Sequence, residues 1–201
     1  MAWLPLFPLR AVLFPHTTLS LHIFEPRYRE MIERCVEEGI GFGVVLIRKG
    51  EEVGVPATPH DVGTEASIVA CERLPDGRYE VVAEGRRRFR VTSLDDSRPY
   101  LSGEAEWISE EDADEENVEL AEAVARLYEG LLQRLEGFGT ATFDETWKGL
   151  TPTELSWKVA DALPLPMVAK QQLLETASTK QRLQREANAL QKFAELTGVL
   201  T

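Results

Sequence analysis

The chain has 201 residues, of which 43% are hydrophobic, and a formal net charge of −12 at pH 7. This length and composition predict a globular protein with one large domain or two small ones. Strong negative charge repels nucleic acid and anionic membranes, so we expect neither as a partner. No stretch reads as a membrane-spanning helix, and the two cysteines form no CxxC pair. These features favour a cytoplasmic protein with both thiols buried.

The first half of the sequence predicts short β-strands rich in Val, Ile, Leu and Phe. The predicted strands are Leu19–Phe24, Phe42–Ile47, Ala66–Cys71, Tyr79–Ala83 and Phe89–Leu94. Turns are predicted at Phe14-Pro15-His16, Lys49-Gly50-Glu51 and Pro75-Asp76-Gly77. A single helix interrupts them, beginning at Pro26 and ending at Gly39.

The second half predicts helices. Apolar residues recur at three- and four-residue steps from Leu120 to Phe138, and Gly137 and Gly139 end that helix. Thr151-Pro152-Thr153-Glu154 is typical of a capping box. Pro164 and Pro166 separate two helices, and Ser178 or Thr179 caps the last one. This order predicts an α+β protein with subdomains 1–109 and 110–201, joined by a solvated acidic linker near Ser109–Asn117.

Several passages occur in an order and spacing that are typical of one family. They are Leu4-Pro5-Leu6-Phe7-Pro8-Leu9, Val12-Leu13-Phe14-Pro15, Leu21–Tyr28, Phe42–Val45, Val62-Gly63-Thr64, Leu74–Tyr79, Gly85–Phe89, Ala162–Leu165, Lys170–Glu175 and Arg182-Leu183. Together they resemble the Lon N-terminal (substrate-binding) domain family over nearly the whole chain. The passage Phe24-Glu25-Pro26-Arg27-Tyr28 resembles the stand-alone bacterial members, and the related domain in some eukaryotic ubiquitin-ligase proteins, more than the N-terminus of full-length Lon proteases.

The resemblance implies a PUA-like β pseudo-barrel subdomain followed by an α-helical bundle subdomain. It also implies a module related to proteolysis that binds polypeptides, either unfolded chains or one specific protein. The sequence contains no GxxxxGK[ST] phosphate loop, no GxSxG elbow and no Pro-x-Asp-Gly-Pro-Ser stretch of the Lon protease site. We therefore expect no ATPase or protease activity, no catalytic residue and no cofactor.

The candidate polypeptide contacts are apolar side chains expected to be exposed in a groove between the barrel and the helices or along a sheet edge. They are Phe14, Phe24, Tyr28, Met31, Trp147 and Met167. Each of these residue types is more often found in a core than in an interface. Glu25 and Arg27, which flank Pro26, are expected to form a salt-bridged corner before the first helix.

One basic cluster supports an alternative, an RNA-binding or small-ligand-binding protein on a PUA-like scaffold. On a regular strand Arg86, Arg88 and Arg90 share one face, although pairing with Glu80 or Glu84 is the favoured role. For a small ligand, a pocket lined by Trp107 or Trp157 is expected. The histidines His16, His22 and His60 are scattered without ligand spacing, so no metal site is predicted.

Overall fold

The structure is a computed structural model that describes residues 2–52, 54, 57–136, 147 and 149–196. The strands are β1 (Ala2–Leu9), β2 (Thr18–Ile23), β3 (Phe42–Lys49), β4 (Thr58–Arg73), β5 (Tyr79–Asp95) and β6 (Ser102–Trp107). The helices are α1 (Pro26–Glu38), α2 (Val118–Glu136), α3 (Pro152–Ala162), α4 (Met167–Glu175) and α5 (Thr179–Leu196), with one 3-10 turn at Asp114–Asn117. Strands therefore precede helices, apart from α1, which confirms the predicted α+β class.

Five strands close into a barrel. The ladder runs β5–β4–β3–β1–β6 and returns to β5, with all pairs antiparallel except β1 with β3. Strand β2 lies outside this ring and pairs with the first half of β5. This is the pseudo-barrel that the family resemblance implies. The stretches Tyr79–Ala83 and Phe89–Leu94, predicted as two strands, are one continuous strand, and β6 was not predicted.

Two apolar clusters occupy opposite faces of the sheet, because successive residues of a strand point to opposite sides. Leu6 and Val45 belong to a cluster around Phe89, whereas their neighbours Phe7 and Val44 belong to a larger cluster beneath α1. Phe89 packs directly against the backbone of Gly43 and Gly63. Glycine is required there because a Cβ atom would occupy the space of the aromatic ring.

Local chemistry explains where several elements begin and end. Pro26 occupies the first turn of α1, and Gly39 ends it in a left-handed conformation with φ 64°. Gly77 has φ 81° and donates its N–H to the Leu74 carbonyl at 2.9 Å, closing the hairpin between β4 and β5. The capping box between Thr151 and Glu154 is present at α3. The stop predicted at Gly137 and Gly139 lies outside the described residues.

The chain divides into two compact units. The first contains residues 1–109 and 165–175, and the second contains residues 110–164 and 176–201. Helix α4 thus lies with the barrel rather than with the helical subdomain predicted for residues 110–201. Gln171 of α4 donates to the Val62 carbonyl at 3.0 Å, and Arg88 of β5 donates to the Leu174 carbonyl at 2.9 Å. These bonds attach α4 to the sheet.

In the second unit the acidic segment, predicted as a solvated linker, is anchored by hydrogen bonds, although Glu111, Glu115 and Glu116 are exposed. Asp112 accepts hydrogen bonds from the Ser178 hydroxyl at 2.7 Å and from the Lys180 N–H at 2.8 Å. These bonds hold the pKa of Asp112 below its usual value. Asp114 likewise accepts from the N–H of Thr153 at 2.9 Å. The carboxylates therefore satisfy free N–H groups at the starts of α5 and α3.

A buried polar network joins α3 and α5. Arg182 is fully buried, forms an ion pair with Glu110 at 2.7 Å, and stacks over the Trp157 ring at 3.6 Å. Glu186, also fully buried, accepts a hydrogen bond from Ser156 at 2.8 Å. Burial raises the pKa of Glu186 to about 8, against the smaller opposing effects of Ser156 and Arg182. At neutral pH this side chain is therefore mainly a neutral carboxylic acid.

The close packing of Phe89 predicts the effect of one glycine substitution. In Gly63→Ala the new Cβ would overlap the Val44 carbonyl oxygen, a backbone atom that cannot move freely. We expect a loss of about 2 kcal/mol in the free energy of unfolding, measured by urea denaturation. In Gly130→Ala on α2 the new Cβ would lie in open space, so this substitution should instead raise the free energy of unfolding by about 1 kcal/mol. Equal effects of the two substitutions would contradict the packing described for the barrel.

The raised pKa of Glu186 predicts a pH-dependent stability. The folded state retains a proton that the unfolded state, with a glutamate pKa of 4.5, releases, so stability falls as pH rises from about 5 to about 8. Glu186→Gln should remove this contribution and exceed the parent in the free energy of unfolding by about 4 kcal/mol at pH 8, while matching it near pH 4. The measurement is urea unfolding followed by helical circular dichroism. A difference between the two proteins that stays constant with pH would contradict the assignment.

Candidate functional site

Strand β2 lies outside the closed ring and has an open edge, and residues 67–73 of β4 also pair with a described strand on one side only. Within the described part of the chain, β2 pairs with β5 on one side and with no strand on the other. Its pattern is alternating, with Leu21 and Ile23 buried and Thr18, Ser20 and His22 exposed. An edge strand of this kind presents unpaired main-chain donors and acceptors.

The start of β2 is fixed by a tight turn. The Thr17 N–H donates to the Phe14 carbonyl at 3.3 Å, which closes a turn with Pro15 and His16 at its centre. His16 takes a left-handed φ of 62°, the conformation that the third position of a type II turn requires. The turn predicted at Phe14-Pro15-His16 is therefore confirmed.

The hydrogen bonds beside this turn determine which groups of β2 are free. Gly85 donates its N–H to the Thr17 carbonyl at 2.9 Å, so position 17 is bonded to β5. Bonded and non-bonded positions alternate along antiparallel strands, and the pairing of β2 with β5 is regular. Thr18, Ser20 and His22 thus direct their main-chain N–H and C=O groups to the open edge. Among the described residues these groups have no hydrogen-bond partner.

An apolar cavity of about 350 Å³ lies beside this open edge. Residues 20–25 form one side of it, and the others are lined by Phe7, Leu9, Tyr28 and Glu52. Phe24 is 50% exposed and stacks on the His22 imidazole with ring centroids 6.3 Å apart. The site therefore combines an unpaired backbone edge with a pocket that suits an apolar side chain.

A salt-bridged corner holds Phe24 at the edge of this cavity. Glu25 and Arg27 are 3.0 Å apart with both side chains mostly buried, which confirms the predicted corner. The Arg27 guanidinium also lies 4.6 Å from the Tyr28 ring centroid. Burial raises the pKa of the Tyr28 hydroxyl, which stays neutral at physiological pH. The corner thus fixes the direction of the chain between β2 and α1.

The six predicted polypeptide contacts lie in different environments. Phe14, Tyr28 and Met31 are buried, with Phe14 and Met31 fully inaccessible, so a partner cannot reach these two without opening the core. Trp147 is half-buried and stacks on Tyr128 of the helical unit at 4.9 Å. Phe24 and Met167 are exposed, and of the six only Phe24 and Tyr28 line the cavity beside β2.

The predicted basic face of β5 is interrupted by a bulge. Between the pairs Ala66–Gly85 and Thr64–Arg88, two arginines, Arg86 and Arg87, oppose the single residue Glu65. Both are exposed, and they pair with Glu84 at 3.1 Å and Glu65 at 2.7 Å respectively. Arg88 is buried beneath α4, and Arg90 is exposed. The three arginines Arg86, Arg88 and Arg90 therefore do not form the continuous basic surface that nucleic acid would need.

The remaining thiols and imidazoles form no recognisable reactive centre in the described ranges. No group of three His, Cys, Asp or Glu side chains there is arranged to hold a metal ion. Cys35 is buried, and burial raises its pKa to about 12. Cys71 is exposed because it lies near the end of β4 beyond the core, so the prediction that both thiols are buried was wrong for it. Among the described helices, none has the length and apolarity to span a bilayer.

Sequence reasoning did not identify the open edge of β2. The signal available was the segment Thr18–Ile23, an alternating strand that contains no Pro, Lys, Arg, Asp or Glu. Natural edge strands commonly carry such residues to prevent pairing with another chain. Whether a strand lies at an edge depends on the pairing of the whole sheet, which the local sequence does not show.

Comparisons with known proteins agree with this architecture. A family model described as the ATP-dependent protease La (LON) substrate-binding domain matches residues 3–192. Lon protease of Escherichia coli strain K12 is 28% identical over 188 residues, which cover 90% of this chain and 24% of that protein. Lon protease of Rhizobium meliloti strain 1021 is 30% identical over 193 residues, which cover 90% and 23% respectively.

Two solved structures share the fold. The Lon N-terminal domain protein from Xanthomonas campestris has 30% identity and a TM-score of 0.67, covering 92% of this chain and 96% of that chain. The N-terminal domain of the Mycobacterium avium complex Lon protease has a TM-score of 0.73 at 20% identity, covering 94% and 98%.

The chain spans about a quarter of the length of the Lon proteases that it matches. The similarity is to their substrate-binding N-terminal domain and not to the ATPase or protease domains. Since the family model covers nearly the whole sequence, the chain belongs to the Lon substrate-binding domain family.

Proposed function

We propose that this protein is a non-catalytic module that recognises exposed apolar segments of polypeptides. The observation that supports it best is the apolar cavity beside β2, with the half-exposed Phe24 ring at its edge. Exposed aromatic side chains next to a concave apolar surface are typical of protein-recognition sites. Membership of a family defined by substrate binding supports the same function.

The absence of catalytic motifs from the sequence supports a binding role without chemistry. Neither the phosphate loop of an ATPase nor a serine-protease elbow occurs in the 201 residues. Ser20 and His22 both line the cavity beside β2, but the His22 ring nitrogens contact Glu80 at 2.6 Å and Arg78 at 3.1 Å rather than the Ser20 hydroxyl, and no Lys lines it. The protein would therefore present or hold polypeptides, and any cleavage would belong to another protein.

The proposal predicts that one substitution at the cavity weakens polypeptide binding. The protein is titrated into a fluorescent polypeptide whose cysteines are blocked so that it cannot fold, with a folded protein and a short RNA as comparison ligands. Phe24→Asp should lower the affinity at least about tenfold, because a charge would replace the aromatic contact. Neither comparison ligand should bind.

Two further variants test where on the protein surface the polypeptide binds. Val69→Asp changes an exposed apolar residue of β4 that does not line the cavity, and it should leave the affinity within about twofold. Met167→Asp tests the exposed apolar surface of α4. If Met167→Asp weakens polypeptide binding and Phe24→Asp does not, the binding site lies on α4 and not beside β2. If all three variants bind the polypeptide as tightly as the parent protein does, recognition through these side chains is contradicted.

A further inference from the structure

We propose that the bound polypeptide adds to the sheet as an extended strand along the open edge of β2. This inference rests on the proposed function and specifies how the polypeptide is held. The partner is an extended segment whose apolar and polar side chains alternate, with basic residues on either side.

The backbone groups of β2 are spaced to pair with another strand. Thr18, Ser20 and His22 direct three N–H and three C=O groups to the open edge, spaced by two residues along a regular strand. Only another extended backbone carries donors and acceptors at this spacing. A compact ligand or a helix would leave most of these groups without partners.

The edge of β2 also carries none of the features that usually block strand addition. The segment Thr18–Ile23 contains no proline and no lysine, and its pairing with β5 has no register shift. By contrast, β1 carries Pro5 and Pro8, which have no N–H to donate. An unprotected edge is an aggregation hazard unless it serves for binding.

The cavity determines which side chains the added strand would carry. A strand beside β2 shares its two faces, so every second side chain would lie on the face of Leu21 and Ile23. On that face the cavity offers Phe7, Leu9 and Tyr28, which suit apolar side chains. The other face is that of Ser20 and His22, which are exposed and suit polar side chains. The site thus favours an alternating sequence.

Charge provides the preference for basic flanks. Glu52 lines the cavity beside the ion-paired Glu25, and the whole chain carries a net charge of −12. Such a field attracts a positively charged segment and speeds its association. Lysine or arginine beside the apolar positions would therefore bind faster than aspartate or glutamate.

A backbone-modified peptide separates strand addition from side-chain recognition. The probe is a labelled peptide of alternating valine and threonine with one central leucine and a lysine at each end. One isomer is N-methylated on the valine and leucine residues and the other on the threonines. In an extended chain these two sets of N–H groups point to opposite edges. N-methylation of one set should therefore cost about tenfold or more in affinity, and N-methylation of the other set much less.

The outcomes distinguish this inference from the proposed function. Equal affinities of the two isomers, whether high or low, would overturn strand addition. If the blocked unfolded polypeptide still binds in that case, polypeptide recognition stands. If the unmodified peptide does not bind while the unfolded polypeptide does, strand addition is also overturned. If neither ligand binds, both strand addition and the proposed function are overturned.

A matched pair of protein variants tests the same edge from the other side. Ser20→Pro removes the N–H that Ser20 directs to the open edge and breaks no bond to β5. Ser20→Pro should lower the affinity for the unmodified peptide about fivefold or more, whereas Ser20→Ala should bind this peptide as tightly as the parent protein does. Circular dichroism verifies folding of both variants. If a folded Ser20→Pro protein binds as tightly as Ser20→Ala, strand addition at this edge is contradicted.

Discussion

The pairing of β5 with three neighbours is the constraint on which the first unit depends. Its first half pairs with β2 and β4, and its second half leaves β2 and pairs with β6, which closes the five-stranded ring. The bulge at Arg86 and Arg87 marks the change between these halves. Closure of the ring joins five strands and leaves β2 outside it with one open edge.

The open edge and the apolar cavity are consequences of the same arrangement. Since β2 is not part of the ring, its free side faces space that Phe7, Leu9 and Tyr28 line. The buried Glu25–Arg27 pair then directs the chain into α1 and leaves Phe24 at the surface. Backbone groups and apolar surface are thus presented together, which is what recognition of an extended polypeptide requires.

Sequence reasoning predicted the features that local chemistry decides. Pro26 and Gly39 bound α1, Gly77 forms the β4–β5 turn, and Thr151 caps α3, because each needs only its near neighbours. The side chains whose environment depends on strand pairing were not predictable in this way. Arg88 is buried because the bulge shifts the alternation of β5 and α4 covers it, and Phe14 is buried by contacts distant in sequence. The edge position of β2 likewise emerges only from the complete sheet.

Amide hydrogen exchange along β2, followed by NMR with and without the blocked unfolded polypeptide, tests the central claim most directly. The free protein should exchange the N–H groups of Thr18, Ser20 and His22 quickly, and binding should slow them about tenfold or more. The N–H groups of Leu19 and Leu21 serve as internal references, because they already bond to β5 and should stay slow throughout. Exchange at Thr18, Ser20 and His22 that is unchanged by saturating polypeptide would contradict recognition at this edge.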